Sequence, residues 1–182
     1  MIYVQTQLDG VWIIKPKVYT DERGYFMETF KTDEFEEQIA RVCFVQENES
    51  RSSFGVVRGL HLQQGEAGQA KLVRVVQGQV FDVAVDLRPS SPTFGQYISV
   101  LLSEENKHQL FIPRGFAHGF AVLSESTILQ YKVDNPYCPQ AELTLAYDDA
   151  HIGIDWPLPP AQIQLSPKDR KGLSFSDLIP LL

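Results

Sequence analysis

Apolar and polar positions alternate along this chain in short runs, and only two stretches keep the wider spacing of a helix. Val11 to Tyr19 (VWIIKPKVY) and Tyr25 to Phe30 (YFMETF) are rich in aromatic and β-branched residues, as strands are, with Asp21-Glu22-Arg23-Gly24 as the turn between them. Further strands are predicted at Cys43 to Ser52, Val56 to Gln63, Gln96 to Leu102, Gln109 to Ile112, Gly119 to Leu123, Thr127 to Val133 and Glu142 to Ala146. The runs KLVRVV and VFDVAVDL flank Gln77-Gly78-Gln79 and predict a hairpin turning on that glycine. Helical spacing is confined to Asp33 to Ala40 and a short turn around Phe175 to Ile179. In the first, Phe35, Ile39 and Val42 share a face, and Asp33 with Glu36 has the spacing of a capping box. Many short strands punctuated by Gly and Pro predict an all-β fold, an antiparallel jelly-roll barrel with a few short helices. Without an internal repeat or linker, a single domain over residues 1–182 is expected.

Composition narrows the function. The 182 residues, 43% apolar and 21% charged, suit a folded domain and exclude disorder. A net charge of −7 argues against a basic surface for nucleic acid, while leaving room for a local basic pocket. No stretch approaches the ~20 apolar residues of a membrane helix. The N-terminal MIYVQTQLDG lacks a basic segment followed by an apolar run, so a cytoplasmic protein without a membrane partner is expected. Cys43 and Cys138 form no CxxC pair and read as idle thiols in a reducing compartment.

Strand parity singles out candidate chemistry. In FVQENES, Gln46, Asn48 and Ser50 share one face, opposite Val45, Glu47 and Glu49. Neither face is apolar, as in an exposed edge strand or the wall of a polar lumen. His61 lies between leucines in RGLHLQ, and His118 follows the bend at Pro113 and Gly115 in IPRGFAHGF, whereas His108 and His151 have loop-like surroundings. A jelly roll with histidines raises the question of a metal. His61-Leu62-Gln63 lacks the second imidazole of a His-x-His pair, so too few ligands remain. No metal is therefore expected, and the histidines become candidates for acid–base work. Lys71 alternates with Val73 and Val75, so its ammonium either snorkels outward or enters a cavity. Tyr131 alternates with Leu129 and Val133, the pattern of a core tyrosine. Arg23 and Arg58 each precede a glycine, at a turn or a close approach to ligand.

In order along the chain, DERGYFMETF (21–30), QENES (46–50), RGLHLQ (58–63), KLVRVVQGQVFDVAVDLRPSSPTFG, IPRGFAHGFAVLS, and DWPL followed by SPKD resemble the dTDP-4-dehydrorhamnose 3,5-epimerase family. The likeness runs from about Val11 to Asp169. It implies a cupin-type jelly roll, a homodimer with exchanged N-terminal strands, and no metal or organic cofactor. It also implies a dTDP-4-keto-6-deoxyhexose substrate, inverted at carbons 3 and 5 beside the ketone. Each inversion removes a proton alpha to a carbonyl and returns one from the opposite face. By the resemblance, His61 is the base, Asp169 the carboxylate that orients it, Lys71 the cation near the ketone oxygen and Tyr131 the acid on the other side. Arg23 and Arg58 match diphosphate-holding positions, and Glu28, Gln46 and Asn48 match contacts to thymidine and its neighbours. Tyr137 matches the ring that stacks on thymine, and His118, Glu142 and Lys168 match further ligand contacts. With exchanged strands, Arg23, Phe26 and Glu28 would reach the partner subunit's pocket. Two rivals stay open: a relative that inverts one centre or moves the keto group, and a metal-dependent or non-catalytic sugar-binding cupin. One detail resists simple parity, because Arg58 and His61 fall on opposite faces of a flat strand; a bulge or twist at Gly59 is predicted to reconcile them.

Overall fold

The computed structural model describes all residues, 1–182. In chain order the elements are β1 (Ile2–Gln5), β2 (Trp12–Lys15), β3 (Val18–Asp21), β4 (Gly24–Met27), α1 (Thr32–Gln38), β5 (Gln46–Ser53) and β6 (Val57–Gln63). They continue with β7 (Lys71–Gln77), β8 (Gln79–Asp86), β9 (Tyr97–Ser103), β10 (Gln109–Ile112), β11 (Phe116–Val122), β12 (Ser126–Val133), β13 (Glu142–Thr144) and α2 (Phe175–Leu178). The strands form a six-stranded sheet, β1-β2-β10-β7-β12-β5, facing a five-stranded sheet, β13-β6-β11-β8-β9. All strand pairings within them are antiparallel, giving the expected jelly roll. No helix is long and apolar enough to cross a membrane.

Alternation of side chains places the main core between the sheets. Val73, Val75 and Leu129 enter it from one side and Val80, Ala84, Phe116 and Phe120 from the other. The outer face of the five-stranded sheet is covered by the C-terminal segment, where Leu145, Ile152, Phe175 and Leu178 pack on Leu60, Leu62, Val83 and Val85. The outer face of the six-stranded sheet is covered around α1, whose buried Phe35 meets the rings of Phe30, Phe44 and Phe111 at 5.1–5.8 Å. That aromatic cluster holds α1 in place. The expected capping box does not form, since Lys31 occupies the cap position and no side chain bonds there.

Three expectations change in the folded chain. The run from Val11 to Tyr19 is two strands, not one: β2 joins the six-stranded sheet, and β3 pairs only with β4 in a separate ribbon. Pro16 lies at the break, where it lacks the N–H a ladder requires. β7 and β8 are not a hairpin. The chain crosses at Gly78 from one sheet to the other, and a Cβ there would lie 2.3 Å from Ser124 Oγ and 2.4 Å from the Ser126 carbonyl oxygen. The same glycine serves an inter-sheet corner as well as a hairpin turn. β1 has no counterpart among the predicted strands and closes one edge of its sheet through pairing with β2.

The predicted irregularity at Gly59 is present. Opposite β11, His61 pairs with His118 and Arg58 with Phe120, so three steps on β6 span two on β11. The extra residue reverses strand parity at a bulge. Gly59 has φ +112°, and a Cβ on it would meet Gly119 Cα and the His118 carbonyl oxygen at 2.6 Å. His61 and Arg58 thereby face the same interior while Leu60 and Val57 pack outward.

Candidate active site

A cavity of about 450 Å³ opens between the two sheets. From the five-stranded sheet and its flanking turn, Arg58, His61, His118, Glu142, Lys168 and Asp169 line it. From the six-stranded sheet come Gln46 and Asn48 of β5 and Tyr131 of β12, with Tyr137 following β12. β5 settles the ambiguous parity by being both alternatives at once. It is an edge strand, and its Gln46, Asn48 and Ser50 face is a cavity wall.

His61 and Asp169 are joined by a 2.6 Å hydrogen bond from Nε2 to Oδ1. The carboxylate is buried, 5% exposed, and also bonds to Ser166 Oγ at 2.6 Å. A carboxylate on Nε2 holds the proton of the neutral ring there, so the lone pair lies on Nδ1. Burial pushes the His61 imidazole below its usual pKa, against the opposing pull of Asp169, so the ring is neutral and basic near pH 7. Tyr131 behaves oppositely. Burial raises its phenol above 10, only partly offset by the nearby Arg58 guanidinium, so the hydroxyl keeps its proton. Two titratable groups pushed apart in this way suit a base and an acid.

Lys71 reaches into the interior from β7, and its Nζ donates to the His61 carbonyl oxygen at 3.3 Å. It is thus the inward-pointing lysine of the two alternatives, although its ammonium sits behind the cavity wall rather than on it. Burial lowers its pKa to about 8, against the raising effect of Asp82 and Glu142. His118 shares its Nε2 between both oxygens of the wholly buried Asp82 at 3.0 Å. Glu142 accepts from Lys168 Nζ and, at 2.7 Å, from Tyr137 Oη. Burial alone would raise the Glu142 carboxyl, but these donors outweigh it and its pKa falls. Arg58 is braced by Ser52 Oγ at 3.0 Å, and Gln46 donates to Asn48 at 2.7 Å.

Arg23, Phe26 and Glu28 do not line this cavity. Arg23 and Phe26 belong to the β3–β4 ribbon, where Phe26 is 67% exposed and Arg23 pairs only with Asp21; Glu28 follows the ribbon on the surface. Sequence reasoning missed Asp82, Gln69 and Ser166. Asp82 carried a signal, a carboxylate alternating with Val80 and Ala84, and Ser166 had one in its spacing to Asp169. Gln69 carried none. No group of three or more His, Cys, Asp or Glu side chains converges as a metal site would.

Comparison with known proteins agrees with this geometry. The sequence profile of dTDP-4-dehydrorhamnose 3,5-epimerase matches residues 5–177. The chain is 49% identical over 182 residues to the dTDP-4-dehydrorhamnose 3,5-epimerase of Escherichia coli K12, covering 100% of this chain and 98% of that one. It is 53% identical over 169 residues to the enzyme of that name from Methanothermobacter thermautotrophicus, covering 92% and 91%. A crystal structure of dTDP-6-deoxy-D-glucose-3,5-epimerase from Legionella pneumophila, in complex with dTDP-4-keto-L-rhamnose, superposes with a TM-score of 0.93 at 50% identity, covering 96% and 93%. Together with the cupin-type jelly roll, a profile match over nearly the whole chain and relatives at about half identity place this chain in the dTDP-4-dehydrorhamnose 3,5-epimerase family.

Proposed function

We propose that this protein converts dTDP-4-dehydro-6-deoxy-D-glucose to dTDP-4-dehydro-L-rhamnose by inverting carbons 3 and 5. The observation that carries the reading is the placement of a His–Asp base and a protonated phenol on opposite sheets of one cavity. His61 takes the proton alpha to the ketone on Nδ1, and Asp169 steadies the imidazolium that forms. The electron pair moves onto the ketone oxygen as an enolate, beside the His118 imidazole and within the field of the Lys71 ammonium behind the cavity wall. Tyr131 then delivers a proton to the carbon from across the cavity, so the configuration inverts. A single group would return hydrogen to the side it left. At the mouth, Arg58 and Lys168 supply cations for the diphosphate, Gln46 and Asn48 supply polar contacts, and Glu142 holds the Tyr137 ring to stack on the thymine.

We also propose a homodimer with exchanged N-terminal strands. The β3–β4 ribbon joins neither main sheet, and Tyr19, Tyr25 and Phe26 are each more than half exposed. Exposed aromatics at that density favour burial against a second copy, where Arg23, Phe26 and Glu28 would complete the nucleotide end of its cavity. The remainder is read as one cupin domain over residues 1–182, with its two free thiols suited to the cytoplasm.

The test is incubation with the keto sugar in deuterated water, followed by proton NMR. Deuterium at both carbons with inversion is expected. Label at one carbon only would establish a single-centre epimerase, and activity that survives His61→Ala would overturn the assignment of the base. A monomer in sedimentation equilibrium would refute the exchange.

A further inference from the structure

We propose that Ser166 is a positioning residue, the outer member of a hydrogen-bonded series Ser166–Asp169–His61. This deepens the reading of His61 as the base and rests on it. The Asp169 carboxylate bonds to three groups, two from β6 and one from the turn that carries Asp169 itself. His61 Nε2 lies 2.6 Å from Oδ1, the Gly59 N–H lies 3.4 Å from the same oxygen, and Ser166 Oγ donates to Oδ2 at 2.6 Å. No other side chain or backbone group bonds to Oδ2. Ser166 Oγ in turn accepts the Asp169 backbone N–H at 3.1 Å, so its one proton is committed to the carboxylate and its rotor is fixed. Removing this hydroxyl frees the carboxylate, still bonded to Nε2, to turn about its own bond, so the imidazole it holds loses its aim at the substrate carbon.

The hydroxyl also acts on charge. A donor on Oδ2 draws density from the carboxylate, so its loss makes Asp169 a stronger acceptor toward Nε2. The imidazolium is then better stabilised and His61 holds its proton to higher pH. Other charged or titratable groups near the ring are Lys168, Glu142 on β13, His118 on β11 (backed by Asp82 on β8), Lys71 on β7, Tyr131 on β12 and Arg58 on β6. None of them bonds to Ser166 Oγ, whose only partner is Asp169. A change at Ser166 therefore reaches His61 through the carboxylate.

The test pairs Ser166→Ala with Ser166→Thr, which keeps the hydroxyl. Two measurements are made on the full chain: pH profiles of kcat and KM on the keto sugar, and an NMR titration of the His61 ring. For Ser166→Ala, kcat is expected to fall roughly tenfold, as for a hydrogen bond to a charged group, with KM within about twofold. The His61 midpoint and the acid limb of kcat/KM are expected to rise together by about half a unit, and Ser166→Thr to restore both. An unmoved or lowered His61 midpoint in Ser166→Ala overturns the proposal. So does a raised KM with kcat preserved, which would make Ser166 a substrate contact, or a threonine variant that titrates like the alanine one. The titration needs no turnover, so failure of the wild-type chain to epimerise would count against the proposed function and leave the Ser166 result standing apart.

Discussion

Tyr131→Phe is expected to separate proton exchange from inversion. The substitution removes one oxygen and keeps the ring beside the core formed by Leu129 and its neighbours, so folding stability should change by less than about 1 kcal/mol. His61 lies on the other sheet and keeps its 2.6 Å bond to Asp169. The base can still remove the carbon-bound proton, exchange it with solvent and return it to the side it left. In deuterated water the keto sugar should therefore gain label while keeping its starting configuration. Inversion depends on the lost acid, and general acid catalysis is worth about 10²–10⁴-fold, a barrier of about 3–5 kcal/mol. Proton NMR follows both processes in one tube, with label read from vanishing C–H signals and inversion from the ring coupling constants. Wild-type inversion rates in this variant would remove Tyr131 from the mechanism. Loss of exchange in parallel with inversion would show that the two groups do not act from separate sides.

Other consequences follow from buried charge and close backbone contact. Burial sets Lys71 at about 8, so its cation is lost as pH rises through that value, and kcat/KM should fall on the alkaline side; Lys71→Arg, which stays charged, should abolish that limb, and an unchanged limb would acquit Lys71. Asp86 is fully buried, and although burial alone would raise its carboxyl, donors from Arg88, Ser91 and Thr93 outweigh this and lower it from 3.8 to about 2. Its depressed value contributes about 2 kcal/mol that is complete above about pH 4 and lost as pH falls toward 2; Asp86→Asn should lower Tm at neutral pH and flatten this acid dependence in a thermal-melt series. Gly59→Ala would force a Cβ to 2.6 Å from Gly119 Cα at φ +112°, so a loss of roughly 2–3 kcal/mol in denaturant unfolding is expected, with reduced kcat as His61 shifts. An alanine variant as stable as the parent would mean the bulge does not depend on glycine.

By itself the sequence determined most of the strand inventory, β1 and the β2–β3 break excepted, because alternation of apolar side chains and Gly or Pro punctuation are local properties. The bulge at Gly59 was legible once the family resemblance assigned Arg58 and His61 to one pocket, because their three-residue spacing then required one extra step on β6. The ordered motifs also located the residues around the cavity, from Gln46 and Asn48 to Lys168 and Asp169. Tertiary structure decided what no local pattern contains. A glycine turn is equally compatible with a hairpin and with a change of sheet, so only the packing of β7 against β10 and β12 fixed the role of Gly78. The two readings of β5, exposed edge or lumen wall, both hold because the opposite sheet leaves a cavity beside this edge. The separation of His61 and Tyr131 onto facing sheets is likewise a property of strand order. So is the convergence of His61, Gly59 and Ser166 on the Asp169 carboxylate, since a buried charge collects its donors from whatever groups the fold brings near, and β6 lies more than a hundred residues away along the chain.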